Sequence, residues 1–232
     1  MTLELEVFDD DRWADRVATR WSASMLRNPS ARLCLPTGET PRPVYASVAP
    51  VTDFSSSSVF VLDEFDLPEG DTARCDSMLQ RDFLSLLIEP PESVDALHPG
   101  TLDPEAECHR FEALVDDGGL DLTLLGLGSN GHLGLNEPGT AIDAPTRVVQ
   151  LAATTTSAAG RYGSGAAPKW GMTLGMRPLL ESRAIWLLVT GSHKAGILDR
   201  VLNGPIGPDV PATYLRGHPN TTVFADRAAL QS

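Results

Sequence analysis

Apolar residues along this chain fall into short, nearly continuous runs separated by longer amphipathic stretches. Leu3–Phe8, Arg32–Leu35, Val59–Leu62, Leu122–Leu127, Ala184–Thr190 and Thr221–Ala225 are runs of this kind. A strand with one wet face alternates apolar and polar positions. A strand covered on both faces need not alternate, so continuous runs predict strands of a buried parallel sheet. Between them, Asp11–Leu26, Pro41–Val48, Asp76–Ile88, Pro104–Val115, Leu174–Glu181 and His193–Leu202 predict helices. Asp10 or Asp11 is placed to cap the first, and Pro41 and Pro104 suit first-turn positions. Strand–helix alternation predicts an α/β fold: a doubly wound, mostly parallel sheet with helices on both faces, Rossmann-like. No internal repeat is visible, and the polar run Ser55–Ser58 is too short for a linker, so residues 1–232 read as one domain. In such sheets ligands bind at the carboxyl ends of the strands. The segments that follow strands are therefore the ones to search.

Composition narrows the classes of function. With 232 residues, 42% of them hydrophobic and 21% charged, the chain can bury a large core. Its formal net charge of −13 disfavours nucleic acid as a partner. The same field repels a small anion, so an anion site would need local construction from backbone N–H groups and a few placed cations. The opening MTLELEVFDDDRW has no apolar core of a signal peptide, and no apolar run is long enough to span a membrane. Cys34, Cys75 and Cys108 are far apart and form no CxxC pair. They read as reduced thiols of a cytoplasmic protein rather than a disulfide framework or a metal site.

Four segments carry candidate chemistry. LPTGETP (35–41) is a glycine-containing turn from a strand into a helix, which exposes N–H groups to a phosphate, with the Thr37 and Thr40 hydroxyls as extra donors. Glu39 suits that use only if its side chain points to solvent. LDEF (62–65) ends a strand with two carboxylates, Asp63 and Glu64. Either could serve as a general base, although a solvated strand end or a helix cap is the plainer reading of the pair alone. GLGSNGHLGLNEP (126–138) places Gly126, Gly128 and Gly131 after a buried strand, allowing unusual backbone angles and close approach of a ligand. If that loop folds back, Glu137 can orient His132 and raise its basicity. Its GxGxxG spacing lacks a following helix and a placed acidic residue, which argues against a dinucleotide. TGSHKA (190–195) puts Lys194 in the first turn of a helix, against the helix dipole, where an anion would relieve it.

Together and in this order, these segments resemble the glucosamine-6-phosphate deaminase family, over nearly the whole chain. LPTGETP is similar to that family's phosphate loop, LDEF to its MDEY segment, GLGSNGHLGLNEP to its glycine–histidine–NEP signature and TGSHKA to its GSQKA segment. The stretch GLDLTLLGLGSNGHLGLNEPG, with CDSMLQ upstream, resembles the galactosamine-6-phosphate deaminase/isomerase branch more closely still. The resemblance implies a cofactor-free enzyme acting on a C–N bond. It would isomerise and deaminate a 2-amino-2-deoxyhexose 6-phosphate to a ketohexose 6-phosphate and ammonia. It implies that Thr37, Gly38, Glu39 and Thr40 form the phosphate loop, with Arg161 and Lys194 as cations and Glu64, Gly126 and Gly128 also in contact with substrate. Asp63 would move a proton from C2 to C1, and His132, oriented by Glu137, would open the sugar ring. Asn130 stands where the glucosamine enzymes carry an aspartate, and Glu39 replaces a small residue. The chain lacks the longer tail of hexameric, allosterically regulated members, so a monomer or small homo-oligomer is expected. Two rival readings are 6-phosphogluconolactonase, whose histidine segment ends in LFP rather than NEP, and a non-catalytic sugar-phosphate-sensing domain.

Overall fold

The computed structural model describes residues 3–9, 11–151, 156 and 167–231. Its strands are β1 (Glu4–Phe8), β2 (Arg32–Leu35), β3 (Ser58–Val61), β4 (Asp63–Phe65), β5 (Ser93–Asp95), β6 (Leu122–Gly126), β7 (Arg147–Gln150), β8 (Trp170–Thr173), β9 (Ile185–Val189) and β10 (Thr221–Asp226). Seven of them form a sheet in the order β1-β10-β9-β6-β2-β3-β5, and every neighbouring pair is parallel.

The continuous apolar runs are explained by cover on both faces. Leu33, Leu35, Val59, Val61, Leu122, Leu124, Leu188 and Phe224 belong to one core. Their sequence neighbours Cys34, Phe60, Leu125, Leu187, Val189 and Val223 belong to the other. Side chains alternate across the sheet as a period of two demands. The helices are α1 (Trp13–Arg27), α2 (Arg42–Val48), α3 (Cys75–Asp82), α4 (Pro104–Asp116), α5 (Met176–Leu180) and α6 (Ala195–Asn203). Residues of α1, α2 and α3 pack into the first core, and those of α4, α5 and α6 into the second. In α1 the buried positions Trp13, Val17, Trp21 and Met25 recur every four residues, one stripe of a helix. No helix among the described residues is long and apolar enough to cross a membrane.

Several expectations need correction. Helix α1 begins at the N-cap Arg12, which makes no side-chain cap, so Asp11 does not cap it; Asp10 lies outside the described residues. The helix expected over 76–88 stops at Asp82. Phe83 leaves helical geometry, stacks on Trp21 with ring centres 5.7 Å apart and meets Tyr45 at a tilt at 4.9 Å, within an aromatic cluster that a continued helix would forfeit. The sequence reading also missed an antiparallel sheet of order β4-β8-β7, whose strands are three or four residues long.

This second sheet matters because of how the chain enters it. The Leu62 N–H still bonds the Leu35 carbonyl of the main sheet, while Asp63 pairs with Thr173 of the small one. In the main sheet, β2 is followed by β3 on one side, whereas β6 is followed by β9 on the other. The point of reversal lies between β2 and β6, where doubly wound sheets bind ligands. The two strands share only the pairs Leu33–Leu122 and Cys34–Thr123. Beyond these they separate, and a crevice opens between the loops that follow them.

Candidate active site

One wall of the crevice is the loop 36–41 after β2. The Tyr45 hydroxyl donates to the Pro36 carbonyl at 2.6 Å and fixes the loop's start. Gly38 has φ +107°, a conformation that side chains resist. Among the described residues, no backbone carbonyl accepts from the N–H groups of Gly38, Glu39 or Thr40, which leaves them free for an anion. The Glu39 side chain points away, 63% exposed and 3.1 Å from Arg42 Nη1, so its charge does not oppose one.

The floor carries Asp63 at the start of β4, only 8% exposed. Burial raises its pKa to about 6, opposed by a thiol hydrogen bond from Cys75 and by the field of His132. Cys75 is itself buried, with its thiol in the neighbourhood of Asp63 and Thr37, and burial pushes the thiol pKa well up. Glu64, the next residue, points the other way and is 0% exposed. Its Oε1 accepts from the N–H groups of Phe65 and Cys75, each at 2.8 Å. Its Oε2 accepts from Asp76 N–H at 3.0 Å and lies 3.4 Å from Arg74 Nη2. Burial lifts Glu64 to about 7 against the pull of these donors. Glu64 therefore ties β4 to the N-terminus of α3, behind the crevice, and the structure does not bring it to a substrate.

The opposite wall is the loop after β6. Gly126 ends that strand, with open space where a side chain would project. Gly128 donates to the His132 carbonyl at 3.0 Å and accepts from Gly131 N–H at 3.0 Å, closing a tight turn. The imidazole lies across Gly128: a Cβ there would come within 2.5 Å of Cδ2, Nε2 and Cε1. Asn130 Nδ2 donates to Glu137 Oε2 at 2.7 Å, which turns Asn130 Oδ1 toward His132. That oxygen accepts from His132 backbone N–H at 3.2 Å and faces Nδ1 at 2.7 Å. An oxygen that accepts the backbone N–H is identified as oxygen. In the neutral ring Nδ1 therefore carries the proton, and Nε2 has the free lone pair. Glu137 Oε2 is also 3.5 Å from Nδ1. At Gly134 (φ +57°) the loop backbone closes on the base: a Cβ would lie 3.2 Å from Asp63 Oδ2 and 3.0 Å from Thr173 Oγ1.

Lys194 closes a short 3-10 turn after β9. Asp226 takes the Gly191 N–H with both oxygens, at 3.0 and 2.9 Å, and holds the turn. Burial lowers the Lys194 pKa, with no carboxylate among the described residues acting against it, which suits a cation reserved for an anion. Arg161 lies outside the described residues. Sequence reasoning missed Cys75, Asn136, Thr173 and Arg147, all of which act through contacts with residues remote in the chain. The only local signal was Asn136 within NEP. Among the described residues no group of three His, Cys, Asp or Glu side chains could hold a metal ion.

The chain is similar to known proteins over nearly its whole length. The family described as glucosamine-6-phosphate isomerases/6-phosphogluconolactonase matches residues 10–224. A glucosamine-6-phosphate deaminase of Rhodopirellula baltica is 36% identical over 239 residues, covering 98% of this chain and 94% of that one. One from Geobacillus sp. is 34% identical over 235 residues, covering 97% and 94%. Among solved structures, a monomeric glucosamine-6-phosphate deaminase superposes with a TM-score of 0.93 at 32% identity, covering 99% of this chain and 100% of that one. A 6-phosphogluconolactonase from Thermotoga maritima superposes at 0.79 with 20% identity, covering 97% and 100%, and shares the fold.

Proposed function

This chain belongs to the family of glucosamine-6-phosphate isomerases and 6-phosphogluconolactonases, and from that premise we propose that it converts a 2-amino-2-deoxyhexose 6-phosphate and water to a ketohexose 6-phosphate and ammonia. The observation that carries this reading is Asp63, a buried carboxyl with a pKa near 6, in the same crevice as a histidine held in one tautomer. A base poised near neutral pH can take a proton and return it.

The chemistry follows from the groups present. His132 Nε2, unprotonated, accepts the proton of the anomeric hydroxyl and passes it to the ring oxygen as the C1–O5 bond breaks. The resulting C1 aldehyde acidifies the C2–H bond. Asp63 removes that proton and delivers it to C1, and the enolamine becomes a ketimine. Water adds to C2 and ammonia departs. The phosphate does not react. Held by the N–H groups of residues 38–40, the hydroxyls of Thr37 and Thr40, and the cations Lys194 and Arg161, it fixes C2 against the carboxylate, so remote binding lowers the barrier. Glu137 acts on His132 through Asn130, so asparagine in place of a second carboxylate still carries the orienting contact. Glu39 contributes its backbone only. The sugar is glucosamine 6-phosphate or its C4 epimer galactosamine 6-phosphate, and the names of the relatives favour the first. The reaction fits a cytoplasmic protein, a monomer or small homo-oligomer, with all of residues 1–232 serving one site.

Ammonia release from the two amino-sugar phosphates, beside hydrolysis of 6-phosphogluconolactone, tests the proposal. Ammonia from either sugar supports it. Lactone hydrolysis alone would reassign the enzyme, and tight binding of the sugar phosphate with no turnover would make it a sensor.

A further inference from the structure

We propose that Arg147 is a positioning residue for the histidine of this site, acting by pinning the turn that carries Glu137; the inference rests on the function proposed above. Arg147 opens β7, outside the glycine–histidine loop, yet its guanidinium binds that loop at two points. Nη1 donates to Asn136 Oδ1 at 2.8 Å, and Nη2 donates to Thr140 Oγ1 at 3.1 Å. Each acceptor is itself committed. Asn136, 0% exposed, donates through Nδ2 to the carbonyls of Leu133 at 3.0 Å and Leu174 at 2.9 Å. Thr140 donates to the Glu137 carbonyl at 2.7 Å. The residues on either side of Glu137 are thus fastened to one guanidinium, and Glu137 reaches His132 through Asn130.

Other contacts hold the backbone of the turn, with Gly139 N–H on the Pro208 carbonyl at 2.8 Å and the Tyr214 hydroxyl on the Thr140 carbonyl at 3.2 Å, but neither reaches the Asn136 side chain or the Thr140 hydroxyl. Glu137, Thr140, Ala141, Asp143 and Arg147 line an open cleft of about 680 Å³, so the turn has space to move into. Burial lowers the Arg147 pKa, and no carboxylate among the described residues offsets it. A half-buried guanidinium bonded to neutral oxygens is a costly choice for mere cohesion. It gives fixed, forked geometry, which is what holding two points of one turn requires.

The test uses full-length Arg147→Met and Thr140→Val, with ¹⁵N NMR of the His132 imidazole in ligand-free protein and steady-state kinetics on glucosamine 6-phosphate. The resonance is assigned among the five histidines by its loss in His132→Gln. We expect wild type to show a single Nδ1–H tautomer and both variants a mixture. We also expect kcat to fall about tenfold with KM within twofold. A retained single tautomer, an unchanged kcat or a loss confined to KM overturns the inference. If Arg147→Met does not fold, Thr140→Val decides alone. The tautomer is read without substrate. An inactive wild type would therefore remove the functional reading, whereas an unchanged tautomer in the variants would remove the role of Arg147.

Discussion

Replacing Gly128 by alanine isolates the placement of His132 from every other property of the site. Gly128 is not among the glycines with positive φ, so its backbone accepts a side chain without strain. The added methyl group would instead meet the imidazole, within 2.5 Å of Cδ2, Nε2 and Cε1. Ordinary contact begins at 3.4 Å and the nearest ring atoms would stand at 2.4 Å, so the ring must retreat by about 1 Å. That movement breaks the 2.7 Å contact of Nδ1 with Asn130. A 1 Å misplacement of a reacting group costs on the order of 100-fold in rate, or about 2.7 kcal/mol of barrier. Stability should fall by only about 1 kcal/mol, the low end for an inserted methyl group, because the ring lies partly in solvent and can swing away. The phosphate loop follows a different strand, so KM should stay within about threefold. Ammonia release gives kcat and KM, and a thermal melt gives stability. A Gly128→Ala enzyme with kcat within threefold of wild type would refute the argument that His132 acts from this position.

Asp63→Asn should lower kcat by about 100-fold or more, the scale for losing a general base, yet raise the melting temperature at pH 7.5. The folded-state pKa of about 6 exceeds the ordinary 3.8, so the native protein holds this proton more tightly than the unfolded chain. Stability present below about pH 4 is lost as pH rises through 6, by up to about 3 kcal/mol. The gap between variant and wild type should therefore close near pH 4, and a variant that melts lower than wild type at pH 7.5 would contradict the burial cost. Lys194→Met should raise KM for the sugar phosphate about tenfold or more with a smaller change in kcat, and an unchanged KM removes Lys194 from the anion site. Glu64→Ala should cost about 3 kcal/mol in urea unfolding, because it leaves the N–H groups of Phe65, Cys75 and Asp76 without their acceptor, although Arg74 keeps its pair with Asp76; a wild-type midpoint would deny the clamp.

Six of the seven main-sheet strands were legible because burial on both faces writes a continuous apolar run, and each lies within about a residue of its observed bounds; the edge strand β5, three residues long and partly exposed, writes no such run and was missed. The loops at the crevice were legible because glycines at turns announce themselves. Side-chain direction within a pair was not. Asp63 and Glu64 are chemically alike and adjacent, and a strand sends neighbours to opposite faces. Nothing local says which carboxylate meets the substrate and which caps a helix. The strands of the small sheet are too short to show a period. Contacts such as Arg147 with Asn136 join residues eleven positions apart, beyond the reach of any local pattern.

Asp63 stands where the chain passes from one ladder of backbone hydrogen bonds to another, with Leu62 still held by Leu35 and Asp63 already paired with Thr173. A residue anchored on both sides has little freedom to drift, whereas the phosphate and histidine walls hang on loops. Changes of sugar preference can accumulate in those loops without moving the proton carrier, so substrate choice and proton transfer are mechanically separable in this architecture.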